Sequence, residues 1–217
     1  MKPRLHLGCG QVYLDGYVNI DYPLAKHTVQ QKSVADEFAD LTDMRRPAGS
    51  VDEVRLHHVF EHFPRAQAVA LVASWHSWLG RGGRLHIEVP DLAATARLAL
   101  NPRAPAGDRK VAIRHIFGSN EAPWAVHYDG WTAERLRELV EIFGFKTDST
   151  KPNAYLATRN ITILASKSRA TPAKAKLLKT ARRYLTGFTL NNSRFETRLL
   201  DIWVDQFRQQ LAKTFAR

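Results

Sequence analysis

Apolar residues in the first ninety positions fall in short runs, separated by glycine, proline and charged residues. Runs of strand length occur at residues 4–7, 17–20, 53–57, 84–89, 146–150 and 160–166, with a weak one at 36–39. Leu71, Trp75, Trp78 and Leu79 recur at helical spacing and predict a helix over 64–79, with Pro64 in its first turn and Gly80 as its stop. A second helix fits 133–143, between Thr132 as N-cap and Gly144 as terminator. Strands alternating with helices predict an α/β fold, a mostly parallel central sheet with helices on both faces. The Pro/Gly-rich stretch 101–108 reads as a loop suited to a lid.

Beyond residue 170 the period becomes purely helical. Leu177, Leu178, Ala181, Tyr184, Leu185 and Phe188 form one stripe, and Phe195, Leu199, Ile202, Trp203, Phe207, Leu211 and Phe215 form another. Charge separates this segment from the rest. Residues 166–217 hold twelve Lys and Arg against three Asp and Glu, which is +9 of the chain's net +11. The chain therefore divides into a nearly neutral body, 1–167, and a basic helical C-terminal extension, 168–217. Such an extension can lie on an anionic membrane or bind an acidic partner through residues 170–217. It can equally pack its stripe on the body or on a second copy in a homo-oligomer, and packing is the commoner use of such a face. No RNA-reading motif accompanies the charge, so nucleic acid is not the expected partner. The single cysteine and the lack of a membrane-length apolar run fit a cytoplasmic protein, peripheral at the inner membrane surface if the extension binds lipid.

Strand ends carry the candidate chemistry, because ligands of parallel sheets sit at the carboxyl ends of strands. This rule gathers Gly8, Gly10, Asp21, Asp40, the stretch 57–62 and Asp91. Gly8-Cys9-Gly10 permits a tight turn whose amides face an anion. The third glycine of a dinucleotide fingerprint is replaced by Tyr13, which argues against a pyrophosphate. A plain structural turn explains the glycines alone equally well. Asp21, closing the second strand, suits a ribose diol better than it suits a simple turn. Only ten residues separate Gly10 from Asp21, so a loop is expected where a crossover helix normally lies.

The stretches LHLGCG, VNID, FADL, SVDEVRLHHVFEHF and WLGRGGRLHIEVPDL, in this order, resemble the motifs of class I S-adenosylmethionine-dependent methyltransferases. The segment HIFGSNEAPWAVHYDGWTAERLRELVEIFGF resembles a small bacterial subgroup often associated with polysaccharide and cell-surface glycan biosynthesis. The resemblance implies a Rossmann-like class I fold with S-adenosyl-L-methionine as cofactor. By it, Gly8, Cys9 and Gly10 lie along the methionine moiety, Asp21 holds the ribose, Asp40 and Leu41 border the adenine, and His57 and His58 stand beside the methionine. Val12 occupies the family's third glycine position. The implied activity is O-methylation of a sugar or lipid-linked glycan. Another small molecule, RNA, or a non-catalytic binding role are the alternatives.

An oxygen acceptor must lose a proton, and His58, His62 and His127 are the candidate bases, with Asp91 as a carboxylate alternative. Tyr128, Trp124 and Trp131 fit either a stacking wall or core packing. His58-Val-Phe-Glu61-His62 also matches the inverted zinc-protease pattern H-x-x-E-H. The pattern follows a strand rather than lying within a long helix, so no metal ligand is assigned from it.

Overall fold

A computed structural model describes residues 2–26 and 29–216. Met1 and Arg217, the outer ends of the two predicted segments, fall outside the described residues. Seven strands form one sheet: β1 (Arg4–Leu7), β2 (Val18–Asp21), β3 (Glu37–Phe38), β4 (Val51–His57), β5 (Leu79–Pro90), β6 (Phe145–Tyr155) and β7 (Thr158–Lys167). Their order is β3-β2-β1-β4-β5-β7-β6. β1 to β5 run parallel, while β7 lies antiparallel to both β5 and β6. Among the described residues six α-helices accompany it: α1 (Arg65–Trp78), α2 (Leu92–Leu100), α3 (Ala106–Phe117), α4 (Ala133–Ile142), α5 (Lys174–Thr186) and α6 (Arg194–Thr214).

Strand parity sorts the side chains. Leu5 and Leu7 of β1, Val54 and Leu56 of β4, and Leu85, Ile87 and Val89 of β5 enter one core. The intervening His6, Arg55, His57, His86 and Glu88 lie on the other face of the sheet. There, α3 reaches across to place His115 Nε2 2.9 Å from Asn160 Oδ1. The turn between β1 and β2 contains no helix, as its length predicts.

α1 departs from the amphipathic expectation. Residues from Ala68 to Trp78 are buried all round the helix, not along one stripe. α6 provides the second cover. Trp78 Nε1 donates to the Thr214 carbonyl at 2.8 Å, Ser74 Oγ lies 2.8 Å from Thr214 Oγ1, and Ala216 N donates to Ser77 Oγ at 3.1 Å. A helix packed on two sides has no polar face to keep. Its stop also differs. The chain turns extended at Leu79, and Gly80 belongs to β5, where residues 80–83 form an irregularity opposite β4.

The two C-terminal helices share the body's core through Leu177, Ala181, Leu185, Leu200, Val204, Phe207 and Leu211. Phe207 stacks on Phe143 with ring centroids 6.4 Å apart. The α6 stripe read in the sequence holds in its second half, where Phe207, Leu211 and Phe215 are buried, but in the first half Leu200 and Val204 are buried whereas Phe195 and Ile202 are exposed. Two helices, α2 and α3, have no counterpart in the predicted pattern. The stretch 101–108 is a loop only as far as Pro105, because Gly107 and Asp108 enter the first turn of α3.

Candidate active site

A cleft of about 490 Å³ opens at the carboxyl ends of β1, β2, β3 and β4. Gly8, Gly10, Asp21, Asp40, Leu41, His58 and His62, all read from the sequence, line it together. The glycines are there for different reasons. Gly8 has φ +69°, and a Cβ on it would stand 2.3 Å from Val59 Cγ2, so only glycine lets the β1 and β4 ends close together. Gly10 has φ +54° and open space where a Cβ would project. The amides of Gly8 and Cys9 are already committed to the Ile20 carbonyl, at 2.8 and 3.1 Å. Any anion contact in this turn therefore falls to the amides beyond Cys9.

Both acids of the wall are held by backbone. Asp21 is buried, and its Oδ1 accepts from Tyr22 N at 2.9 Å while Oδ2 accepts from the Gln30 side-chain Nε2 at 3.3 Å. Asp40 closes a turn by accepting from Thr42 N and Thr42 Oγ1 through the same oxygen, Oδ1. These bonds orient each carboxylate before any ligand arrives.

Two members of the expected cofactor set lie elsewhere. The Cys9 side chain points into the fold, and burial first, then Asp21, pushes its thiol up to about 11. His57 projects from the opposite face of β4, where its Nε2 lies 3.2 Å from His86 Nε2. Burial lowers both of these imidazoles to about 4. Asp91 is also displaced from the expected role. Its carboxylate caps α2 by accepting from Ala94 N at 3.0 Å, and it forms no part of the cleft.

His58 has φ +54°, rare for a side chain of this size, and this turns it away from strand alternation into the cleft. Its Nδ1 lies 3.4 Å from Glu61 Oε1 and its Nε2 3.6 Å from Glu88 Oε1. Burial opposes its charge, but the two carboxylates outweigh burial and lift the imidazole to about 9. The two carboxylates thus favour the protonated form of His58, which works against the role of base expected of it. Glu88 is correspondingly held down to about 2, chiefly by His58.

The loop after α3 lies across the turn at Phe60–His62. Tyr128 N donates to the Glu61 carbonyl at 2.9 Å, and His62 Nδ1 pairs with the Val126 carbonyl at 3.1 Å. Asp129 anchors this loop through Arg65 and Arg135. Pro123, Trp124 and Tyr128 become the outer wall of the cleft, whereas Trp131 packs in the core against Phe60 at 4.8 Å. His127 is inside, with burial lowering its imidazole, and faces Glu61 rather than the cleft. Sequence reading gave Glu61 no role, although the H-x-x-E-H match contains it.

No protein-family model matches this chain, and no curated protein does. Solved structures do. A Methanosarcina mazei SAM-dependent methyltransferase aligns with 76% of this chain and 92% of its own at 13% identity, TM-score 0.50. Burkholderia thailandensis 1,6-didemethyltoxoflavin-N1-methyltransferase, solved with S-adenosylhomocysteine, aligns over 77% and 72% at 15% identity, TM-score 0.50. A chain of the Haloferax volcanii complex containing the Trm112 methyltransferase activator aligns over 79% and 84% at 13% identity, TM-score 0.55. The fold is the Rossmann-like class I methyltransferase fold. In this class I fold the cleft occupies the switch region of the sheet, where β1 separates strands added in opposite directions.

Proposed function

We propose that the protein transfers a methyl group from S-adenosylmethionine to a hydroxyl of a sugar or lipid-linked glycan. The observation that carries the cofactor is one wall of the cleft: a positive-φ Gly8–Gly10 turn with two backbone-oriented carboxylates, Asp21 and Asp40. The residues fit the group. Asp21 suits a vicinal diol, and Asp40, engaged through one oxygen, retains the other for an exocyclic amine. Leu41 and Phe63 supply apolar surface for a ring. The cofactor, when bound, supplies an electrophilic methyl on a sulfonium.

Most of the remaining task is alignment and exclusion of water. Trp124 and Tyr128, on the outer wall, offer flat amphipathic surfaces of the kind that sugar rings stack on, and this supports a glycan acceptor. Of the three candidate bases, His58 and His62 line the cleft and His127 does not. A membrane-side acceptor is consistent with the exposed Leu190, Phe195 and Ile202, which stand among the exposed Arg194 and Arg198. No helix among the described residues is long and apolar enough to cross a membrane.

Calorimetric titration with S-adenosylhomocysteine tests the cofactor: the wild type binds, and Asp21→Ala loses at least tenfold in affinity. Failure of the wild type to bind either cofactor form overturns the reading. Labelled methyl transfer into a cell-envelope extract then tests the acceptor. Label in RNA, or binding without transfer, overturns the glycan assignment.

A further inference from the structure

Glu61 is buried, with 2% of its side chain exposed, and neither carboxylate oxygen has a hydrogen-bond partner of good geometry among the described residues. His58 Nδ1, 3.4 Å from Glu61 Oε1, supplies one positive neighbour, but a buried carboxylate with no well-formed hydrogen bond remains costly and favours a further cation. Its surroundings are nitrogen donors. His127 Nε2 stands 3.9 Å from Glu61 Oε1, and the His62 and His127 rings meet edge to face at 4.8 Å. One ligand atom each from Glu61, His62 and His127 lies within 4.8 Å of the others.

His62 Nδ1 faces the Val126 carbonyl, which can only accept, so its proton sits on Nδ1 and the Nε2 lone pair is left for a ligand. His127 Nε2 faces Glu61. His115, whose Nε2 bonds to the Arg159 carbonyl and Asn160, and His58, beside Glu61 Oε1, fall outside this cluster.

We propose that Glu61, His62 and His127 bind a divalent transition-metal ion, of which zinc suits the donor set best. Two imidazole nitrogens and one carboxylate oxygen are a borderline set. It favours zinc over magnesium or calcium, which prefer oxygen alone. Ligand atoms around tetrahedral zinc stand about 3.4 Å apart, so the cluster closes on the ion with a small rotation of one imidazole. Three protein ligands leave one position open, as in catalytic rather than structural zinc sites. His62 belongs both to this cluster and to the cleft wall, which directs the open position towards the acceptor side. There the ion would hold and polarise an acceptor oxygen. That use rests on the methyltransferase reading, whereas the metal site itself does not.

The test uses the full chain, stripped with chelator and titrated calorimetrically with zinc chloride and, separately, with magnesium chloride. Cobalt(II) substitution adds a visible absorption signature. The expected result is one zinc per chain, with magnesium at least tenfold weaker. Glu61→Gln and His127→Gln each lose more than tenfold in zinc affinity, and His86→Gln, on the far face of the sheet, keeps it. Circular dichroism confirms the folding of each variant, and His62→Gln replaces any that fails to fold. Absence of stoichiometric zinc in the wild type overturns the proposal, as does zinc binding that survives both Glu61→Gln and His127→Gln. S-adenosylhomocysteine titrated into the same samples separates the two readings. Zinc without cofactor binding sinks the methyltransferase alone, and cofactor without zinc binding sinks the metal site alone.

Discussion

Gly8→Ala is the most direct probe of how the cleft is built. Alanine at φ +69° costs about 1–2 kcal/mol for the left-handed backbone, offset by about 0.4–1 kcal/mol from the stiffer unfolded chain. The new methyl would stand 2.3 Å from Val59 Cγ2, where ordinary contact begins near 3.4 Å. Val59 is β-branched and half-buried against the core, so it yields poorly, and overpacking of this kind costs about 1–3 kcal/mol. The net expectation is a loss of about 3 kcal/mol, read as a lower urea midpoint at unchanged m-value. The double variant Gly8→Ala with Val59→Ala relieves the steric part but not the backbone part. The cycle should therefore show a favourable coupling of about 1–3 kcal/mol. Cofactor affinity should fall with Gly8→Ala and recover in part in the double variant, since both residues line the cleft. A Gly8→Ala protein within about 0.5 kcal/mol of wild type, or strictly additive single variants, would refute the close-approach argument.

Three further outcomes follow from other parts of the molecule. His76 is buried, and burial first and Lys167 second lower its imidazole to about 4, below its unfolded value of 6.5. The unfolded chain therefore takes up the proton first, and stability falls as pH drops from 6.5 towards 4. The loss reaches about 3 kcal/mol, and urea titrations of wild type and His76→Gln at pH 7 and pH 4.5 should diverge accordingly. Phe207→Ala removes a fully buried ring stacked on Phe143 and should cost about 3–5 kcal/mol; a loss below about 1 kcal/mol in the same assay means that α6 is not part of the core. Flotation with anionic vesicles should carry the wild type upward and leave Phe195→Ser with Arg198→Glu behind, and equal behaviour of the two removes the membrane reading.

What could be read from the sequence was what local pattern encodes. The apolar runs marked β1, β4 and β5 as strands, and the strand ends placed Gly8, Asp21 and Asp40 together at the cleft. His57 was assigned to the site because it ends β4, but the same parity sends it to the far face. His58 reaches the cleft only through its positive φ, which no spacing rule announces. Asp91 sits at a strand end as well, yet its carboxylate is used up by capping a helix that the sequence pattern did not reveal. α1 lost its expected single stripe because its second cover comes from more than a hundred residues downstream. The meeting of Glu61 with His127 has the same origin. It depends on the path of a loop fixed by Asp129, Arg65 and Arg135, and that is a tertiary fact.

The double cover of α1 has a consequence for biosynthesis. The side of α1 that carries Ser74, Ser77 and Trp78 is covered chiefly by α6 and the residues just after it, with Thr214 and Ala216 making the last contacts. A ribosome adding roughly 5–20 residues per second needs on the order of ten seconds to travel from one helix to the other. During that interval the nascent sheet already has its strands β1 to β5 and a bare tryptophan-bearing ridge. A chaperone that shields hydrophobic ridges is the natural companion of this stage, and ribosome stalling between α5 and α6 should leave a soluble chain only in its presence.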